Sequence, residues 1–149
     1  MDKIIIQQQD FDLSTEIVLI KNNHSDIGAV VSFVGFVRDL DDSQIQKMTL
    51  EHYPEMTEKA LKSIIDEAKK RWSIGNITLI HRVGDLNIND QIVLVITSSK
   101  HRQSAFASCE FIMDYLKTQA PFWKKEYAQN KSKWVKAKSS DKNQKNRWE

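Results

Sequence analysis

Positively charged residues stand where secondary-structure elements should begin or end, and their types suit them to hold or stabilise negative charge. Lys100-His101-Arg102 follows Ser98-Ser99, where a β-rich run gives way to a helical pattern. Free backbone N–H groups at a helix start, with a guanidinium, an imidazole and an ammonium beside them, make an anion site; the alternative is a cluster of solvated charges. Arg38 closes the string GFVR next to Gly35. A glycine inside a strand marks a bulge or a close backbone approach, where a phosphate could come near. Lys117 and Lys124 bracket Thr118-Gln119-Ala120-Pro121-Phe122-Trp123. A turn at Pro121 could return both ammonium groups to one pocket floored by Phe122 and Trp123, although the residues alone favour a lysine near a helix C-terminus as a plain dipole partner.

Other chemistries lack their residues. His24, His52, His81 and His101 are scattered, without the spacing of a closed metal site. There is no glycine-rich phosphate loop. Cys109 falls inside a helical apolar stripe and reads as a buried structural thiol, because nucleophilic thiols need accessible, electropositive surroundings. An enzyme built from this chain would work without a metal, cofactor or thiol of its own.

The elements that must position these cations can be read from periodicity. Ile4–Ile6 is a short β-branched strand, and Asp12 to Glu16 caps a short helix. Residues 28–37 and 48–53 read as strands. Met56, Ala60, Leu61, Ile64, Ile65, Ala68 and Trp72 form one helical stripe, with Glu55 and Glu58 at its start and Lys69, Lys70 and Arg71 at its end. Strands at 77–83 and 92–97 flank a hairpin-type connection. A second long helix over about 101–118 carries Ala105, Phe106, Cys109, Ile112, Met113 and Leu116, with Ser98 or Ser99 as its cap; short strands at 122–127 and 133–136 follow. The order predicts an α+β fold, two long helices laid on a mostly antiparallel sheet.

Composition narrows the class. The 149 residues carry 22 Lys+Arg against 20 Asp+Glu, 40% hydrophobic residues, 4 Gly, 2 Pro and 1 Cys. That predicts one globular domain over 1–149, with no internal disulfide, membrane span or secretory signal, hence a cytoplasmic protein. Charge is uneven: residues 131–149 hold seven basic and two acidic residues, leaving the body at −3. Residues 139–149 read as a basic, flexible tail, whereas Trp134-Val135 should pack.

The strings SFVGFVRD (32–39), LEHYPEMTEKAL (50–61), IHRVGDL (80–86), SSKHRQSAF (98–106), FIMDYLKTQAPFWKKE (111–126) and KWVKAK (133–138) resemble the catalytic, large subunit of molybdopterin synthase. The resemblance runs in order from about residue 28 to 138. It implies an α/β-hammerhead fold and a central homodimer. It also implies a heterotetramer, with a small ubiquitin-like sulfur carrier docked at each outer end. The carrier's C-terminal Gly-Gly thiocarboxylate would give sulfur to cyclic pyranopterin monophosphate (precursor Z), forming the dithiolene of molybdopterin. The family's essential lysines match Lys117 and Lys124. Its substrate-binding residues match Arg38, His101 and Arg102, the last two reaching into the other protomer's pocket. Lys138 stands where the family has an arginine, which keeps the charge without the bidentate fork.

A sulfur donor carried by a partner needs no catalytic cysteine here, and a phosphorylated pterin calls for clustered Arg, His and Lys. The competing reading is a nucleic-acid-binding module that uses the basic, Trp-containing C-terminal region. Against it stand the acidic body and the lack of a nucleic-acid motif.

Overall fold

The computed structural model describes the backbone of residues 1–22, 24–38, 47–128, 131–135 and 139–149, and their side chains outside 125–141. Among the described residues, eight strands and four helices run in the order β1 (Lys3–Gln7), α1 (Leu13–Lys21), β2 (Ala29–Phe36), β3 (Lys47–His52), α2 (Pro54–Arg71), β4 (Ile77–Arg82), β5 (Gly84–Asn87), β6 (Gln91–Ser99), α3 (Arg102–Gln119), β7 (Phe122–Ala128), β8 (Lys131–Val135) and α4 (Ser139–Asn146). The strands form two sheets, β1-β4-β6-β2 and β5-β3-β7-β8. Among the described residues, only the β1–β4 pairing is parallel. The α+β reading holds, with strands divided between two sheets.

The first sheet is covered on both faces, so β4 and β6 are near-continuous apolar runs. Ile77, Leu79, Val93 and Val95 pack against Leu61, Ile64, Ile65 and Ala68 of α2 and Cys109, Phe111, Ile112 and Leu116 of α3. Ile80, Leu94 and Ile96 on the other face meet Ile20 of α1. A third cluster, Val37, Met48, Leu50 and Leu86, joins the second sheet to the first through Ile92. Leu61 and Ile112 are wholly buried, so truncating either to Ala should cost about 2–5 kcal/mol.

Local signals match at several points. Asp12 caps α1, its carboxylate accepting from the N–H groups of Ser14 and Thr15 at 2.9 and 3.4 Å. The β2–β6 register shifts between Gly35 and Phe36, and a Cβ on Gly35 would meet Val93 Cγ1 at 2.9 Å; the bulge and the close approach occur together.

Other expectations fail for geometric reasons. Met56 and Phe106 are 62% and 61% exposed instead of joining the buried stripes. Met56 lies in the first turn of α2, where Thr57 turns inward in its place. Phe106 lies one position, about 100°, round α3 from buried Ala105. Ser98 and Ser99 belong to β6, and His101 is the N-cap, without a side-chain cap bond. The connection read as a hairpin loop contains β5, which pairs with β3 in the second sheet.

Within the stretch expected to be a tail, α4 packs along α3. Trp148 meets Trp72 and Phe111 edge-on, with centroids 5.6 and 5.7 Å apart. Its indole N–H donates to Asp114 Oδ2 at 2.5 Å, and Arg71 donates to its carbonyl at 2.8 Å. Arg147 pairs with Glu110 and Asp114.

Candidate active site at the seam of the two sheets

The turn between α3 and β7 brings the two lysines to the seam between the sheets. Pro121 ends helical continuation, and the Phe122 N–H donates back to the Ala120 carbonyl at 2.8 Å. The buried Thr57 hydroxyl donates to the Pro121 carbonyl at 3.3 Å, tying the turn to the start of α2. Lys117 lies exposed in the last turn of α3, and Lys124 is half-buried in β7.

Side chains alternate across a strand, so Phe122 and Lys124 share one face of β7 while Trp123 takes the other. The cross-strand partners agree. Lys124 pairs with Leu50 and Phe122 with His52, on the face that packs toward the first sheet, whereas Trp123 pairs with exposed Glu51. Trp123 meets the Tyr53 ring at a tilt, with centroids 4.7 Å apart. Phe122 therefore shares the face of β7 that carries Lys124, and Trp123 takes the opposite one.

His81 completes this wall, and reading residue types missed it because a lone histidine in an apolar strand carries no motif. Its ring stacks on Phe122 with centroids 3.9 Å apart and planes 15° apart; His52 approaches the same phenyl ring at 6.0 Å. His81 Nδ1 lies 2.8 Å from the Arg82 carbonyl, which can only accept, so Nδ1 carries the proton. Burial lowers the His81 pKa to about 4; the Arg82 hydrogen bond opposes that shift, and the charges of Lys117 and His52 add to it. The imidazole is neutral at physiological pH.

Arg38 is exposed just beyond the end of β2. Its neighbour Val37 is buried and fixed from both sides, donating to Asp90 O at 2.9 Å and accepting from Asn89 N–H at 2.7 Å. Because Val37 packs with Leu50, the strand partner of Lys124, the Arg38 backbone comes to the same seam. Lys138 lies outside the described residues.

Lys100, His101 and Arg102 lie elsewhere. They are exposed at the N-terminus of α3, and the His101 N–H donates to Ser99 Oγ at 3.3 Å. From Arg102 to Lys117 the helix rises about 22 Å. Within one chain, His101 and Arg102 do not join the lysines. They sit instead near the start of β2, an edge of the first sheet; Phe33 midway along that strand and Phe36 at its far end are 40% and 54% exposed, and Phe106 on α3 is 61% exposed.

Cys109 is buried, and burial pushes its thiol up to about 12, with Glu110 adding to the shift. Among the described residues, no group of three or more His, Cys, Asp or Glu is placed to hold a metal, and no helix is long and apolar enough to cross a membrane. The described seam offers cations, aromatic rings and a neutral imidazole.

Comparison with known proteins gives this arrangement a context. Residues 6–119 match the model of the MoaE protein family. A molybdopterin synthase catalytic subunit from Ralstonia nicotianae is 52% identical over 99% of this chain and 85% of its own length. A solved molybdopterin biosynthesis MoaE protein from Burkholderia ambifaria is 51% identical, with a TM-score of 0.86, covering 99% of this chain and 98% of its own. A complex of subunits 1 and 2 of molybdopterin-converting factor from Helicobacter pylori gives 26% identity and a TM-score of 0.74, covering 92% and 91%.

Proposed function

Starting from a chain that belongs to the MoaE family of molybdopterin synthase catalytic subunits, sulfurtransferases of molybdenum cofactor biosynthesis, we propose how its residues divide the work. The partner is the small subunit of the synthase. In our reading it is a ubiquitin-like carrier whose C-terminal thiocarboxylate enters the seam beside Lys117 and Lys124. Its sulfur bonds to a side-chain carbon of precursor Z while that carbon's oxygen substituent leaves, taking a proton. Water then takes the acyl group, so sulfur stays on the pterin and the carrier leaves as a carboxylate.

Lys117 and Lys124 stabilise the negative charge that develops on oxygen during these steps. One of them also moves a proton, a role that a lysine close to other cations can fill. Arg38 holds the substrate phosphate from the end of β2. The observation that carries this reading is the placement of both lysines about one aromatic wall, Phe122 with His81 and His52, at the seam.

The second anion anchor, His101 and Arg102, is about 22 Å from Lys117 along α3. We therefore assign it to the pocket of a partner protomer in a homodimer, with a carrier on each outer end. The β2 edge and the exposed Phe33, Phe36 and Phe106 support a second copy there. Lys138 would add charge beside the phosphate. The cytoplasm is the compartment this reading requires, and no finding favours nucleic acid as a ligand.

The decisive experiment mixes the protein with thiocarboxylated small subunit and precursor Z and assays molybdopterin. Conversion that depends on both Lys117 and Lys124 is expected. Undiminished conversion by the two alanine variants would overturn the assignment.

A further inference from the structure

One buried polar side chain at the seam has no part in the reaction as described above. His81 sits in the middle of the first sheet, its backbone paired with Ile6 of β1 and Val93 of β6. It is 7% exposed. Its ring contact leaves its own sheet and falls on Phe122, the first residue of β7 in the second. Phe122 follows Lys117 by five positions and precedes Lys124 by two. Whatever fixes this phenyl ring therefore fixes the turn from which both lysines project.

The imidazole is itself fixed at two points, by the stack and by Nδ1–H donating to the Arg82 carbonyl. Ionisable groups face it from two other elements, Lys117 on α3 and His52 on β3, while Arg82 lies beside it on β4. A cation in its place would repel Lys117 and loosen the turn.

We propose that His81 is a positioning residue for sulfur transfer: an uncharged ring that braces Phe122 across the two sheets and keeps a competing cation out of the space beside Lys117. It acts through Phe122 and Lys117, and it rests on the reading of those lysines given above. Burial, which holds the imidazole neutral, agrees with the geometry. The choice of histidine follows from both demands. A flat ring makes the stack that positions Phe122, and the N–H serves the Arg82 carbonyl, a hydrogen bond that phenylalanine would lose at a cost to stability while keeping the brace.

The test uses the full chain with thiocarboxylated small subunit and precursor Z in single turnover. His81→Ala should slow conversion about tenfold to a hundredfold, the scale expected for misplaced catalytic groups, without changing affinity for the small subunit. His81→Phe, which restores an uncharged ring, should recover most of that loss. In nitrogen-15 spectra of the parent, the His81 Nε2 should stay unprotonated from pH 8 down to pH 5. Lys117→Gln should move its titration upward, a response that packing alone would not give.

A parental rate for folded His81→Ala would overturn the proposal. So would a His81→Phe variant as slow as His81→Ala, a charged imidazole near neutral pH, or a titration indifferent to Lys117→Gln. Should His81→Ala not fold, His81→Phe and the spectra of the parent decide the matter. Normal conversion by Lys117→Ala and Lys124→Ala would instead sink the sulfur-transfer reading itself, so the two failures are distinct.

Discussion

The Lys100 carbonyl lies only 2.1 Å from the point where a Cβ on Gly28 would stand, and the Gly28 N–H donates to the Ser99 carbonyl at 2.9 Å. The chain entering β2 is thereby pressed against the turn that presents His101 and Arg102. Gly28→Ala must displace that backbone, at a cost of about 1–3 kcal/mol. Because the displaced turn carries the anion anchor, substrate affinity should fall while single-turnover rate at saturation changes little. Titration with precursor Z beside a thermal melt checks both, and an unchanged affinity would detach Gly28 from the anchor.

Lys117→Ala and Lys124→Ala should each reduce sulfur transfer by about 3–4 kcal/mol of barrier, or hundreds-fold. Their stability costs should differ. Lys117 is exposed and should lose no more than about 0.5 kcal/mol. Lys124 is half-buried, so its methylene stem packs as well and its loss should cost more. Lys→Arg at each position separates charge from proton transfer: recovery shows that charge suffices, and persistent loss points to a titrating ammonium. Single-turnover conversion and melts on the same samples give the answer.

Stability should fall in mild acid because of His81. Its ordinary pKa is 6.5 and its folded value is about 4, so the unfolded chain binds the proton more readily. The contribution is complete above about pH 6.5, shrinks as pH falls through the window between 6.5 and 4, and is gone below it. Its size is about 3 kcal/mol. Urea unfolding of the parent and of His81→Phe at pH 7 and pH 4.5 isolates it. The parent should lose more stability than the variant, and equal losses would contradict the assignment.

Phe106→Asp should dissociate the proposed dimer with little change in the monomer's melt, since this ring is 61% exposed. Conversion should fall as well, because each pocket would lose the other protomer's His101 and Arg102. Sedimentation at micromolar concentration reads the mass. A parent that sediments as a monomer would remove the basis for sharing.

Much of the scaffold was legible because its signals are local. The Leu61–Ala68 and Ala105–Leu116 stripes, the Asp12 cap and Gly35 each announce themselves within a few residues. The candidate cations were found by type and position, since charge at an element's end is a local signal as well. What escaped depends on distant partners. β5 is four residues long and exists only by pairing with β3. Trp148 looked like part of a solvated terminus because Trp72, Phe111 and Asp114, which receive it, lie far back in the chain. Trp123 was placed beside Phe122 in one pocket although a strand's period of two separates them. His81 was read only as one of four scattered histidines, because its meaning lies in a stack between two sheets.

Cys109 has a practical consequence for a protein that handles activated sulfur. Its sulfhydryl lies inside α3, close to Val95 of the first sheet, and ionises only near pH 12. It is the chain's single cysteine, so the native subunit presents no accessible thiolate to intercept sulfur in transit or to trap it as a persulfide or mixed disulfide. The same seclusion makes it a built-in reporter. An alkylating reagent should reach it only when α3 lifts from the sheet, so the labelling rate would time the opening of the core without any engineered probe.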